Sequence, residues 1–77
     1  MRDILEDVNR VDESGYDSCY LAMKEKDEVL ALSILSDKKF DRYHLNEDKS
    51  LLSWAIYFRC ENVVDILLED KKMVQLA

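Results

Sequence analysis

The sequence predicts an all-α protein in which two helix–turn–helix repeats stack side by side, with a partial helix at each end. The chain of 77 residues contains one glycine and no proline, the two residue types that break helices and punctuate loops. Aliphatic and aromatic residues make up 48% of it, which is enough for one modest core. The segment LSDKKF, which begins at Leu35, is echoed by LEDKKM, which begins at Leu68, and this echo indicates an internal repeat.

The repetition extends well beyond these two segments. A period of a few tens of residues is typical of stacked repeats, because each unit cannot bury its own apolar face alone. We therefore divide one domain, residues 1–77, into an N-terminal cap (1–11), repeat one (12–44) and repeat two with a C-terminal tail (45–77). At the same shift, that from Leu35 to Leu68, the identical pairs outside the two segments are Ala22 with Ala55 and Glu28 with Glu61, and within them residues 37–39 match residues 70–72.

In repeat one, a helix is predicted to begin at Asp17 or Ser18 and to extend to about Glu25. Asp27 caps a second helix over Glu28–Ser36, because its carboxylate can accept a hydrogen bond from a free backbone N–H group of the first turn. The side chains predicted to lie in the core of this repeat are Cys19, Leu21, Ala22, Met23, Val29, Leu30, Leu32, Ile34 and Leu35.

Repeat two follows a linker over Asp37–Lys49 that has no strong periodicity. Ser50 is predicted to cap a helix over Leu51–Phe58, and a tight turn at residues 59–61 leads into a second helix over Asn62–Glu69. The β-branched residues of the last segment would also permit a strand, but its length and its register with repeat one favour a helix. The apolar side chains predicted to be covered by neighbours are Leu51, Leu52, Ala55, Ile56, Val63, Val64, Ile66, Leu67 and Leu68.

Both ends of the chain are expected to add a partial element. Ile4, Leu5 and Val8 recur at helical spacing and predict a short leading helix over Met1–Val8. Residues Met73–Ala77 either begin another element or fray.

Two segments resemble the ankyrin repeat, whose period equals the offset between Leu35 and Leu68. DVNRVDESGYDSCYLAM (Asp7–Met23) resembles the consensus D-V-N-x-x-D-x-x-G-x-T-P-L-H-x-A, and DKSLLSWAIYFRCENVVDILLED (Asp48–Asp70) resembles T-P-L-H-x-A-x-x-x-G-x-x-x-V-V-x-x-L-L. The matching residues are Asp7, Val8, Asn9, Asp12, Gly15 and Ala22 in the first segment, and Ser50, Leu52, Ala55, Val63, Val64, Leu67 and Leu68 in the second.

The chain also departs from this pattern. The Thr-Pro-Leu-His element is replaced by DSCY at residues 17–20 and by SLLS at residues 50–53, and Asp48 stands where the first repeat has its glycine. Lys26 and Arg59 replace the glycine of the turn between the helices, although side chains tolerate a positive φ poorly. An isolated stack needs at least about three repeats. Either the two ends act as caps, or the chain is a fragment, or self-association or a partner stabilises it.

The resemblance implies a non-enzymatic protein-recognition module, an adaptor or a regulator, whose groove is formed by the fingers and the first helices. Tyr57 and Phe58 could instead pack on a further repeat or on another copy, so a self-associating structural piece remains the alternative. Trp54 and Phe40 are expected to be core residues. The residues that the resemblance places at the groove are Tyr16, Lys24, Glu25, Tyr43, His44, Lys49, Tyr57, Phe58 and Arg59.

The net charge of -6 argues against nucleic acids and anionic membranes, and it favours a basic protein partner. The sequence predicts no cofactor, metal or catalytic residue, because His44 is the single histidine and lies in the linker, where a solvated or finger-tip side chain is expected. Two cysteines without metal-type spacing are expected to be free thiols of an intracellular protein, cytoplasmic or nuclear. Cys19 is expected to be buried, whereas the turn position of Cys60 predicts an exposed, reactive thiol.

Overall fold

The computed structural model describes residues 8–76, which form five helices. No β-strand occurs within these residues, which contain only isolated bridges between Val11 and Asp17 and between Asn46 and Lys49. The predicted all-α class is therefore confirmed. The helices are α1 (Ser18–Lys24), α2 (Glu28–Leu35), α3 (Leu51–Phe58), α4 (Glu61–Leu68) and α5 (Lys71–Leu76).

Capping side chains define the helix starts that the sequence predicts. Asp17 accepts a hydrogen bond from the backbone N–H of Tyr20 at 2.8 Å, and the Asp27 side chain accepts one from Leu30 at 3.1 Å. Ser50 caps α3 in the same way, through the N–H of Ser53 at 3.2 Å. Helix α4 begins one residue earlier than predicted, directly after Cys60, whose side chain makes no capping bond.

The two helix pairs turn in the same way. Lys26 and Arg59, which follow the first helix of each pair, both adopt the left-handed conformation, with φ of 63° and 60°. In each turn, the N–H of the following residue donates back to the first helix at 2.9 Å, from Asp27 to the Ala22 carbonyl and from Cys60 to the Ala55 carbonyl. This closure satisfies carbonyl groups at the end of the helix and reverses the chain.

The helices form two pairs that lie side by side. Helix α1 packs on α2 and α3 packs on α4; between the pairs, α1 contacts α3 and α2 contacts α4. Trp54 and Phe40 belong to the shared core, as predicted. We call α1 with α2 the first pair and α3 with α4 the second pair.

Several apolar side chains that were predicted to be in the core are exposed, so those predictions are wrong. Each of these helices has only 7 or 8 residues and packs on one partner within its pair and one helix of the other pair, which leaves part of its perimeter uncovered. Val29 is the extreme case, with 80% of its surface exposed. The exposed side chains are Leu21, Val29, Leu30, Ile56, Ile66 and Leu68.

The expectations for the two ends have different outcomes. The leading helix predicted over Met1–Val8 lies outside the described residues apart from Val8, which is in a turn. At the other end, α5 begins at Lys71 and packs on α4, so a further element does form there. Met73 holds α5 to the core, since its side chain is fully buried.

Candidate protein-binding surface

A row of aromatic side chains runs across the outer helices α1 and α3. Tyr16 stacks on Tyr20, with ring centroids 4.1 Å apart and an interplanar angle of 11°. The ring of Tyr20 meets Trp54 edge to face at 5.0 Å, and Trp54 meets Tyr57 at 5.5 Å with an angle of 90°. We call these residues, together with Phe58, the aromatic row.

Helical spacing and the contact between the pairs assemble this row. Tyr57 and Phe58 follow Trp54 by three and four residues, so they lie next to it on the surface of α3. Phe58 reaches across to Tyr20 of α1 at 5.6 Å. The Trp54 indole is held in place because its Nε1–H donates to the Asn46 carbonyl at 2.7 Å.

The row is graded from buried to exposed. Trp54 and Tyr20 are buried, Phe58 is half-buried, and Tyr57 has 71% of its surface exposed. Although it is exposed, the Tyr57 ring packs against Trp54 and against Phe58, the latter at 5.1 Å. Tyr57 is therefore accessible to a partner, and the two rings that it contacts hold its own ring in place.

Charged side chains border the row. The Lys49 ammonium lies 5.3 Å from the centroid of the Trp54 ring, within the range of a cation–π interaction. On the side of α1, a hydrogen bond to the Glu47 carboxylate, together with burial, raises the pKa of Tyr16. A cation and a carboxylate thus lie beside the aromatic row.

Tyr43 belongs to a different cluster. Its hydroxyl donates to the Asp70 carboxylate at 2.6 Å, and Arg42 lies 3.4 Å from the same oxygen. The Lys72 ammonium lies 4.4 Å from the Tyr43 ring centroid. The hydrogen bond from Tyr43 lowers the pKa of Asp70 and raises that of Tyr43 itself. These contacts fasten the linker to the loop before α5, so Tyr43 has a structural role.

His44 joins the two loops that precede the outer helices. Of the two expected settings, a solvated or a finger-tip side chain, the solvated one is wrong, because His44 is half-buried and its Nε2 lies 2.8 Å from the Gly15 carbonyl oxygen. Nearby, the N–H of Asp17 donates to the Asn46 side-chain oxygen at 2.8 Å. These bonds fix the loops relative to each other and so help to position the aromatic row.

Lys24, Glu25 and Arg59 are exposed at the ends of the outer helices. Arg59 is the residue that ends α3 in the left-handed conformation. The structure therefore brings Tyr16, Lys49, Tyr57 and Phe58 together around Trp54 and Tyr20, and it leaves the other predicted groove residues outside that cluster.

Sequence reasoning missed Tyr20, Asn46 and Glu47. Tyr20 has Ser53 as its equivalent in the second repeat, so the repeat gave no reason to select it. Its position four residues after Tyr16, at the start of a predicted helix, was the signal that could have found it. Asn46 and Glu47 lie in the linker, where no periodicity identifies functional residues.

The predicted thiol exposure is wrong for Cys60. Both cysteines are free and buried, and the Sγ atom of Cys60 lies 3.8 Å from the Met23 carbonyl oxygen of the first pair. Cys60 is covered because the turn that carries it faces the first pair. Burial raises the pKa of both thiols, which disfavours the reactive thiolate.

Within residues 8–76, no group of three or more histidine, cysteine or carboxylate side chains could hold a metal ion. None of the helices in that range has the length and apolar character needed to cross a membrane. Comparison with protein-family models, with curated proteins and with solved structures finds no match to this chain.

Proposed function

We propose that this protein is a non-enzymatic protein-recognition module, a short ankyrin-like stack that binds a protein partner through its loops and outer helices. The shared geometry of the two helix pairs supports a repeat architecture. Besides the matched turns at Lys26 and Arg59, Gly15 and Asp48 are also equivalent positions, and both adopt positive φ, at 88° and 66°. Each precedes an outer helix, where the family forms its fingers.

The observation that carries this proposal is that Tyr57 is exposed while its ring packs on Trp54 and Phe58. A tyrosine that already packs on Trp54 and Phe58 loses little conformational entropy when a partner covers it. Tyrosine and tryptophan are also over-represented among the residues that dominate binding energy at protein interfaces. An exposed aromatic ring in this setting fits a binding anchor.

The charge of the chain favours a basic partner. A net charge of -6 attracts cationic surfaces over distance and accelerates their association. Close to the anchor, the aromatic faces of Tyr57 and Trp54 suit arginine or apolar side chains of the partner. The outer residues Lys24, Glu25 and Arg59 form the rim, where charges adjust specificity more than affinity.

Substitution of Tyr57 tests the proposal. Tyr57→Ala should remove an anchor worth about 2 kcal/mol, so that partner affinity falls roughly 30-fold. The measurement is quantitative affinity capture with the wild-type and variant chains, followed by titration of the captured partner.

Val29→Ala serves as the matched control, because Val29 is an exposed apolar residue outside the aromatic row. It should capture the same partners as the wild type, and circular dichroism should show equal helical content for all three chains. Equal capture by Tyr57→Ala and by the wild type would remove the aromatic row from the binding surface.

A further inference from the structure

The two ends of the stack expose faces that are buried in its middle. Because the two pairs are equivalent in the repeat, a side chain and its equivalent should be similarly buried unless one lacks a neighbour. At the start of the stack, Leu30 is 47% exposed, whereas its equivalent, Val63, is fully buried. Leu21, which is 36% exposed, and Ile34, which is half-buried, also have buried equivalents, Trp54 and Leu67. We call Leu21, Leu30 and Ile34 the leading face.

At the other end of the stack, it is the residues of the second pair that are exposed and their equivalents in the first pair that are buried. Ile56 and Leu68 are 57% and 52% exposed, whereas their equivalents in the first pair, Met23 and Leu35, are buried. Helix α5 packs on α4 but leaves both side chains exposed. We call Ile56 and Leu68 the trailing face.

The contact between the pairs explains both differences. Helix α1 packs on α3 and α2 on α4, and the Sγ atom of Cys60 lies 3.8 Å from the Met23 carbonyl oxygen, so the buried positions of each pair lie on the side where the other pair contacts it. The two exposed faces are therefore the two halves of an interface that already exists inside the chain. The residues of the two faces are apolar like their buried equivalents, so the two faces match in position and in apolar character.

Two hydrogen bonds join the first pair to the second pair, and the residues equivalent to their side chains lie at the trailing end. The Glu28 carboxylate accepts a hydrogen bond from the backbone N–H of Asn62 at 3.1 Å, and the Lys26 ammonium donates to the Phe58 carbonyl. Their equivalents in the second pair, Glu61 and Arg59, keep the same charges and are exposed.

The groups that those two side chains would bind are backbone groups of the first pair. The Val29 N–H is equivalent to the Asn62 N–H, and the Glu25 carbonyl is equivalent to the Phe58 carbonyl. Backbone groups are present whatever the side chain, so a second copy offers both partners. The apolar and the polar parts of the interface can therefore be repeated together.

The leading face also has room for a neighbour. It forms an open groove of about 740 Å³ that Val11, Tyr16 and Ser18 line together with the leading-face residues. Unpaired apolar surface of this kind is stabilised when a matching surface covers it.

We propose that the chain associates head to tail with copies of itself, the trailing face of one copy packing into the leading groove of the next. Such a contact joins two different surfaces, so it leaves a free face at each end and adds further copies in an open series. The recognition surface and this interface share Tyr16 and Arg59, but Tyr57 belongs to neither face and does not line the groove, so Tyr57→Ala tests recognition without changing either face.

Two charge-introducing variants test the geometry. Leu30→Glu breaks the leading face only, and Leu68→Glu breaks the trailing face only. By sedimentation velocity, the wild type should form species larger than a dimer as its concentration rises, and each variant alone should remain a monomer. An equimolar mixture of the two should form a dimer, because the intact trailing face of one meets the intact leading face of the other.

Leu45→Glu is the matched control, since it places the same charge on a 45% exposed apolar residue of the linker that belongs to neither face and does not line the groove. It should assemble like the wild type, and circular dichroism should show that every variant keeps the helical content of the wild type. Arg59→Glu should independently weaken assembly, by roughly 10-fold for an interfacial hydrogen bond of a charged group.

Three results would overturn the proposal. The first is a wild-type chain that stays monomeric up to about 1 mM, the weak end of measurable association. The second is a dimer that only one of the two variants abolishes, which indicates a symmetric contact. The third is a mixture that remains monomeric while both single variants are folded.

Discussion

At the residue scale, Asp17 caps helix α1 from a buried position, where the charge of a carboxylate is unfavourable. One carboxylate oxygen caps α1, whereas the other is buried and has no hydrogen-bond partner within the described part of the chain. Burial is the main cause that raises the pKa of Asp17. The residue therefore starts a helix and at the same time places a charge-bearing group where ionisation is disfavoured.

The raised pKa of Asp17 predicts a pH dependence of stability. A carboxylate with a higher pKa in the folded chain binds more protons there than in the unfolded chain. The free energy of unfolding therefore falls as pH rises above the unfolded value of about 3.9. In Asp17→Asn this contribution is absent.

The measurement is urea unfolding of the wild type and of Asp17→Asn between about pH 4 and pH 7. Stability of the variant relative to the wild type should increase with pH across that range. A difference that stays constant with pH would show that burial of Asp17 does not disfavour its charge.

At the element scale, the turns after α1 and α3 show how side chains replace the glycine typical of such positions. Lys26 and Arg59 accept the left-handed conformation, which costs a residue with a Cβ atom roughly 1 kcal/mol. Lys26 offsets part of that cost through its contact with the Phe58 carbonyl. Both side chains are exposed, but that of Arg59 makes no such contact within residues 8–76.

This difference predicts that glycine is tolerated better at one turn than at the other. Arg59→Gly should stabilise the protein by up to about 1 kcal/mol, because it relieves the left-handed strain. Lys26→Gly should gain less, since it also loses the contact with Phe58.

Urea unfolding measures both changes, with Arg59→Ala as the control that removes the side chain but keeps Cβ. Alanine should give no stabilisation. If Arg59→Ala and Arg59→Gly stabilised equally, the strain would lie in the arginine side chain and not in the backbone conformation.

Helix positions could be predicted well from the sequence, because the signals that set them are local. Asp17, Asp27 and Ser50 cap the helices that they were expected to cap, and only α4 shifts by one residue. Burial could not be predicted in the same way. Leu30 and Val63 occupy equivalent places in the pattern, yet only one of them has a neighbouring pair to cover it.

The candidate site could be predicted in part. The exposed aromatic end of α3 was evident from Tyr57 and Phe58, whereas the contribution of Tyr20 depends on α1 packing against α3. Tyr43 and His44 were selected by position in the repeat, but their hydrogen bonds to Asp70 and Gly15 make them parts of the framework. The repeat period of a sequence does not indicate long-range contacts of this kind.

At the scale of the whole molecule, the two pairs depend on each other. Residues 8–76 bury one shared cluster, which includes Met23 and Leu35 of the first pair and Val63 and Leu67 of the second. Stability then arises from each pair and from its contact with the other pair. With two pairs, loss of that contact exposes apolar surface on both.

The cysteines make this dependence measurable. Cys19 lies inside the first pair, and Cys60 lies against Met23 at the contact between the pairs. If the pairs unfold together, both thiols should become reactive at the same urea concentration, and neither should react in the folded protein.

Brief alkylation across a urea series, followed by mass spectrometry of each cysteine, gives the two unfolding curves. Cys19→Ser and Cys60→Ser chains identify each site and serve as controls for reagent accessibility. Labelling of Cys60 at clearly lower urea than Cys19 would show that the second pair separates first and that the molecule is not one cooperative unit.

The fixed indole of Trp54 has an optical consequence. Trp54 is the single tryptophan of the chain, it donates its N–H to Asn46, and its ring lies against Tyr57 and close to Lys49. Its emission spectrum depends on the polarity of those surroundings, which a partner covering Tyr57 would change. The protein thus carries an intrinsic fluorophore at its proposed binding surface, where occupancy can be followed without a label.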